Sequence, residues 1–152
     1  MYNVYGPRQA LDNPYQGVLG IFLGNVLRDE PLTIFGDGGQ SRDFVYIDDI
    51  VDAWVSAVDE PATQGGVFNL GSGRRLAIDR LADHVLEAFG RDRASTPLVR
   101  RPARSGEQRH VEADTAAARR AFGWQARVPF EEGLAATVRW AQDVAAAAPA
   151  GA

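Results

Sequence analysis

Apolar residues recur along the chain with two different periods. Between Gly17 and Asp29, Val18, Ile21, Phe22 and Val26 fall near one face of a helix, so a helix is predicted there despite Gly20 and Gly24. Glycines four apart also let another backbone come close. Asp49 to Val58 repeats the helical spacing, with Ile50, Val51, Trp54 and Val58 as the predicted inner stripe and Asp48 as the cap. Three more helices are predicted: Ala77 to Phe89, stopped by Gly90; Asp114 to Phe122, stopped by Gly123; and Pro129 to about Val144, striped by Phe130, Leu134, Val138 and Ala141. Short runs of strand character lie between them: "NVY" before a Gly-Pro turn, "PLTIFG", "RDFVYI", "GGVFNLGSG" and the start of "PLVRR". In "RDFVYI", Phe44 and Tyr46 share one side, Val45 and Ile47 the other.

Alternating strands and helices predict an α/β or α+β class. The strands are too few and short for a complete doubly wound domain. One that starts at residue 2 has no earlier partner, so a fragment is expected. Residues 1–144 are expected to form the folded domain, and 145–152 a flexible low-complexity tail. The three tryptophans, Trp54, Trp124 and Trp140, are assigned to packing.

Composition narrows the chemistry. A length of 152 residues suits one domain with a core of useful size. A net charge of -4 argues against a general attraction to nucleic acid, though not against a local cationic pocket. Cysteine is absent, which excludes disulfides, thiolate metal sites and cysteine nucleophiles. All 16 basic residues are arginine, so no Schiff base or P-loop lysine is available. His84 and His110 lie far apart in sequence, and no metal site is predicted. No apolar run approaches membrane-spanning length and no leader is evident, so a cytoplasmic protein without membrane partners is expected.

The stretch "FGDGGQSRDFVYIDD", residues 35–49, holds the densest candidate chemistry. Its glycine turn precedes a strand, whereas a dinucleotide fingerprint needs strand, glycine turn, then helix. "GSGRR" lacks a third glycine in register. Arg42, at the entry to a strand, suits two readings: a planar fork for phosphate oxygens, or an ion-pair partner of Asp43 or Asp48. Arg100, Arg101, Arg104 and Arg109 crowd a second loop around Glu107, either as an anion site or as a solvated charged loop.

Taken together, "NVYGPRQ", "FGDGGQSRDFVYIDD", "VFNLGSG", "RSGEQR" and "AFGW…PFEEGLAATVRW" occur in the order found in the extended short-chain dehydrogenase/reductases. The chain resembles that NAD-dependent epimerase/dehydratase family over residues 2–142, most of all its UDP-glucose 4-epimerase type. The resemblance covers only the C-terminal, substrate-binding portion. The family's glycine-rich NAD turn and its Tyr-x-x-x-Lys pair have no counterpart, so no catalytic residue is assigned.

The resemblance implies a UDP- or dTDP-hexose ligand. Asn3 would contact the diphosphate or sugar. Val18, Thr33 and Phe35 would line the base, Arg42 would hold the diphosphate or ribose, Arg104 would be a second phosphate arginine, and Asn69 would lie near the nucleotide. Glu107 would accept from ribose hydroxyls. Tyr2 and Val4 would stand on the nicotinamide side. NAD is implied for the full enzyme and is not expected to bind this chain alone. Dehydratase or decarboxylase relatives, or a non-catalytic binding module, remain alternatives. A separate N-terminal Rossmann half is the implied partner, and self-association is expected from faces left without it.

Overall fold

The computed structural model describes residues 1–13, 15 and 17–147. Strand β1 (Asn3–Tyr5) comes first and helix α1 (Val18–Leu27) second. There follow β2 (Leu32–Phe35), β3 (Ser41–Tyr46), α2 (Ile47–Val58), a 3-10 turn (Pro61–Thr63), β4 (Arg75–Ala77) and α3 (Ile78–Ala88). Last come β5 (Leu98–Arg101), α4 (Ala116–Phe122) and α5 (Phe130–Ala147). The class is mixed α/β, as the alternation predicts. β1 lies parallel to β3, with Asn3 beside Phe44 and Tyr5 beside Tyr46. β3 pairs antiparallel with β4, while β2 and β5 form a separate parallel pair.

β3 organises the core because its side chains alternate between two faces. Phe44 and Tyr46 join the larger cluster, which takes Phe22 and Leu23 from α1, Leu81 and Val85 from α3, and Leu134 and Val138 from α5. Val45 turns to the other side and meets Ile50, Ala53, Leu70, Ala118 and Trp124. Each fully buried leucine here contributes about 1.5–3 kcal/mol by leaving water. Close approach is built in at Gly24, where a Cβ would land on the carbonyl oxygen of Leu11. That is the contact that the glycine spacing of α1 foreshadows.

Four expectations need correction. Residues 65–73 form no strand: Tyr2 N–H donates to Leu70 O at 2.9 Å, and the loop beyond it is held by a side chain instead of a ladder. α2 is rotated from the predicted face. Ile50 and Ala53 point inward, whereas Val51, Trp54, Val55 and Val58 are 49, 61, 67 and 80% exposed. Trp54 is therefore not a packing residue of this chain. The cause is Asp49, whose buried carboxylate accepts from the N–H groups of Arg127 and Val128 at 2.9 and 3.1 Å. Those bonds turn the Asp49–Ala53 side inward. Asp48 does not cap α2; it lies within the first turn and Tyr46 is the residue before the helix.

Other boundaries hold closely. Gly90 and Gly123 follow α3 and α4 with φ of 69° and 70°, in the left-handed region that lets a helix end at glycine. Trp124 is buried, with its indole N–H donating to Asp49 O at 2.9 Å, and Trp140 is half-buried. α5 continues to Ala147, so the first three residues of the predicted tail are helical; residues 148–152 lie outside the described ones.

Candidate functional site

The loop after β5 folds back on the start of β3, bringing two of the predicted segments together. Ser41 N–H donates to Arg109 O at 2.9 Å, Val111 N–H to Ser41 O at 3.1 Å, and Ser41 Oγ lies 2.9 Å from His110 Nδ1. Within this clasp Arg42 bonds Glu107 Oε1 at 2.8 Å and the carbonyl oxygens of Ser41 and Gln108 at 2.9 and 2.8 Å. The pair is partly sheltered, with side chains 18 and 25% exposed. Neither Asp43 nor Asp48 is its partner. The sequence offered both as neighbours of Arg42, whereas the actual partner lies 65 residues away.

Phe35 and Arg104 also meet. The guanidinium carbon of Arg104 lies 3.9 Å from the centre of the Phe35 ring, a cation–π geometry. Thr33 and Phe35 occupy the half-exposed side of β2, and Leu32 and Ile34 its buried side. Val18 opens α1 and packs against the larger core cluster. Asn3 donates from Nδ2 to Asp43 O at 2.8 Å, beside Arg42 in β3. Asn69 is exposed, Tyr2 and Val4 are half-buried, and Val4 packs in the smaller core cluster. The structure thus joins Arg42 to Glu107 and Phe35 to Arg104. In this state the two arginines hold separate partners.

Asp43 is the residue whose role sequence spacing missed. Fully buried, it accepts from Ser72 N and Oγ at 2.7 Å each, from Gly73 N at 2.9 Å and from Ala113 N at 3.0 Å. An acid within a strand whose neighbours are buried was the available signal. At the rim, Arg109 grips exposed Asp37 with bonds of 2.6 and 2.7 Å. Those bonds, followed by one from Gly39 N–H, hold the Asp37 carboxyl well below its ordinary value.

Two hollows, of about 320 and 380 Å³, open elsewhere. The first lies between the loop entering β4 and the loop entering α5; the second is lined by Val4 to Gln9 and Ile47. Neither includes Arg42, Arg104 or Glu107. Tyr5 and Tyr46 are both pushed above the ordinary phenol range, chiefly by burial, and Tyr5 donates its hydroxyl to Phe130 O at 3.1 Å. Neither therefore supplies a tyrosinate base at neutral pH. No group of three or more acids and histidines among the described residues is placed to hold a metal. No helix among them is long and apolar enough to cross a membrane.

The residues present do not fit a dinucleotide. The turn at Gly36–Gly39 leads into β3, and the N–H groups of Ser72 and Gly73 in the other glycine loop already donate to Asp43.

The model of the NAD dependent epimerase/dehydratase family matches residues 1–71. The chain is similar to members of this family over most of its length. It is 39% identical to a UDP-glucose 4-epimerase of Mycolicibacterium smegmatis over 91% of its own length. It is 32% identical to a dTDP-glucose 4,6-dehydratase of Streptomyces griseus, again over 91%. Nucleotide-sugar decarboxylases also stand among its family relatives. Its fold matches the UDP-glucose 4-epimerase of Thermotoga maritima, solved with UDP-glucose, at a TM-score of 0.84 and 38% identity, covering 94% of this chain and 44% of that one. The chain spans 42% of the Mycolicibacterium epimerase and 40% of the Streptomyces dehydratase. It aligns to the C-terminal portion of these family members, which agrees with a fragment of the family fold.

Proposed function

We propose that this chain is the nucleotide-sugar-binding part of an NAD-dependent sugar epimerase of the UDP-glucose 4-epimerase type. The observation that carries this reading is the Arg42–Glu107 contact of 2.8 Å. A nucleoside diphosphate presents anionic oxygens beside a ribose diol, so its receptor needs a cation and a carboxylate side by side. Arginine's fork matches phosphate oxygens and a carboxylate accepts from hydroxyls. Phe35 adds a half-exposed ring for the base, with Arg104 stacked on that ring. The higher identity to the epimerase than to the dehydratase favours epimerisation among the family reactions.

On this reading a Rossmann half supplies NAD and the Tyr/Lys pair, and the chain alone turns nothing over. That half docks on the outer stripe of α2 and the free edge of β1. β1 ends its sheet and is parallel to β3, so another parallel strand extends the same sheet. Parallel sheets are covered by helices on both faces, so on this reading a partner helix lies beside Trp54. Without the partner, the stripe draws copies of the chain together.

Calorimetry with UDP-glucose and dTDP-glucose tests the ligand. Binding that R42A weakens by about tenfold or more is expected, since a charge-assisted bidentate contact is lost. No binding of either sugar overturns the reading. Mixing with a Rossmann half of the family is expected to give epimerase turnover. A chain that binds the sugars yet never gains turnover is a binding module instead.

A further inference from the structure

The lining of the 320 Å³ hollow carries more positive than negative charge. Three arginines line it from two separate segments: Arg74 and Arg75 at the entry to β4, and Arg127 before α5. Arg75 is neutralised by Glu112 at 2.8 Å. The guanidiniums of Arg74 and Arg127 have no ion-pair partner among the described residues, and Glu131 is the one acid in the lining. Like charges lining one hollow repel unless an anion lies between them. Apolar side chains complete the hollow, among them Phe44 and Phe130, whose ring centres stand 5.9 Å apart.

Both rims are fastened from below. Asp43 takes the N–H groups of Ser72 and Gly73 on one side. Asp49 takes those of Arg127 and Val128 on the other. Two buried carboxylates thus fix the backbone from which Arg74 and Arg127 project.

We propose that this hollow binds a small organic phosphate, its anionic head between Arg74 and Arg127 and its apolar body on Phe44 and Phe130. The site is separate from Arg42 and Glu107 and does not depend on the function proposed above.

The test is an NMR titration of the ¹⁵N-labelled chain with phenyl phosphate and, in parallel, inorganic phosphate. Saturable shifts at the amides of Ser72, Gly73, Arg127 and Val128 are expected. The ring should add affinity, with phenyl phosphate about tenfold tighter or more through burial of its apolar face. The double variant R74A/R127A should lower affinity by about tenfold or more. R119A/R120A, which removes the same charge from exposed α4, should leave it unchanged. Equal loss in both double variants would reduce the effect to net charge and overturn the proposal. So would shifts confined to Asn3, Arg42 and Glu107, or no saturation in the millimolar range. Equal affinity for the two phosphates would overturn the apolar part of the site.

Discussion

β3 and α2 are consecutive in the chain, yet they stand in opposite states. In β3 the polar side chains are matched within the chain: Ser41 to His110, Arg42 to Glu107, and Asp43 to Ser72, Gly73 and Ala113. Its apolar side chains feed two cores. In α2 only one side is matched. Its other side shows Val51, Trp54, Val55 and Val58 to solvent, at the i, i+3, i+4, i+7 spacing of a buried stripe. The difference separates what the chain completes by itself from what the proposed Rossmann half would complete.

The sharpest way to break this comparison is to unfasten β3. Asp43→Ala leaves three N–H groups and a hydroxyl without their acceptor, and a loss of about 3–5 kcal/mol in unfolding free energy is expected by urea denaturation. A loss below about 1 kcal/mol would mean that solvent replaces those bonds and that β3 is not the closed element described. α2 should respond in the opposite way. Trp54→Ser with Val58→Ser should change the stability of the isolated chain by no more than about 0.5 kcal/mol, because neither side chain packs within it. The same variant should lower self-association in sedimentation velocity. Marked destabilisation would show that the stripe packs inside the chain after all.

The smallest effect belongs to the Asp37–Arg109 pair, at the exposed edge of the β3 clasp. Arg109 lowers the Asp37 carboxyl below its ordinary 3.8, so the pair's contribution is complete above that pH and fades as pH falls beneath it. An NMR titration of the Asp37 carboxyl should show this low midpoint, and Arg109→Ala should bring it back towards 3.8 and remove the pair's small contribution at neutral pH. An unchanged midpoint in the variant would remove Arg109 as the cause.

Much of the fold was legible in the sequence because its signals are local. The alternation in β3 correctly separated Phe44 and Tyr46 from Val45, and the glycines after α3 and α4 marked their ends. Ile47 departs from the alternation because α2 begins there, and it packs against the larger cluster. The face of α2 was misread because both of its sides carry apolar residues; periodicity gives a stripe but not what the stripe meets. The candidate site was legible as a set of residue types. Its pairing was not, since Arg42 has acids at neighbouring positions and uses neither.

The sequence alone determined the helical and strand periods, the glycine stops, the lack of any lysine or cysteine chemistry, and the ordered segments that mark the family. These depend on residues a few positions apart, whose geometry the backbone dictates. Tertiary structure decided the rotation of α2, the burial of Asp43 and Asp49, the union of Arg42 with Glu107, and the gathering of Arg74 and Arg127 around one hollow. Such pairings join residues 29 to 79 positions apart. A buried polar group takes whichever partner the folded chain brings within reach, and only packing of the whole core fixes which partner that is.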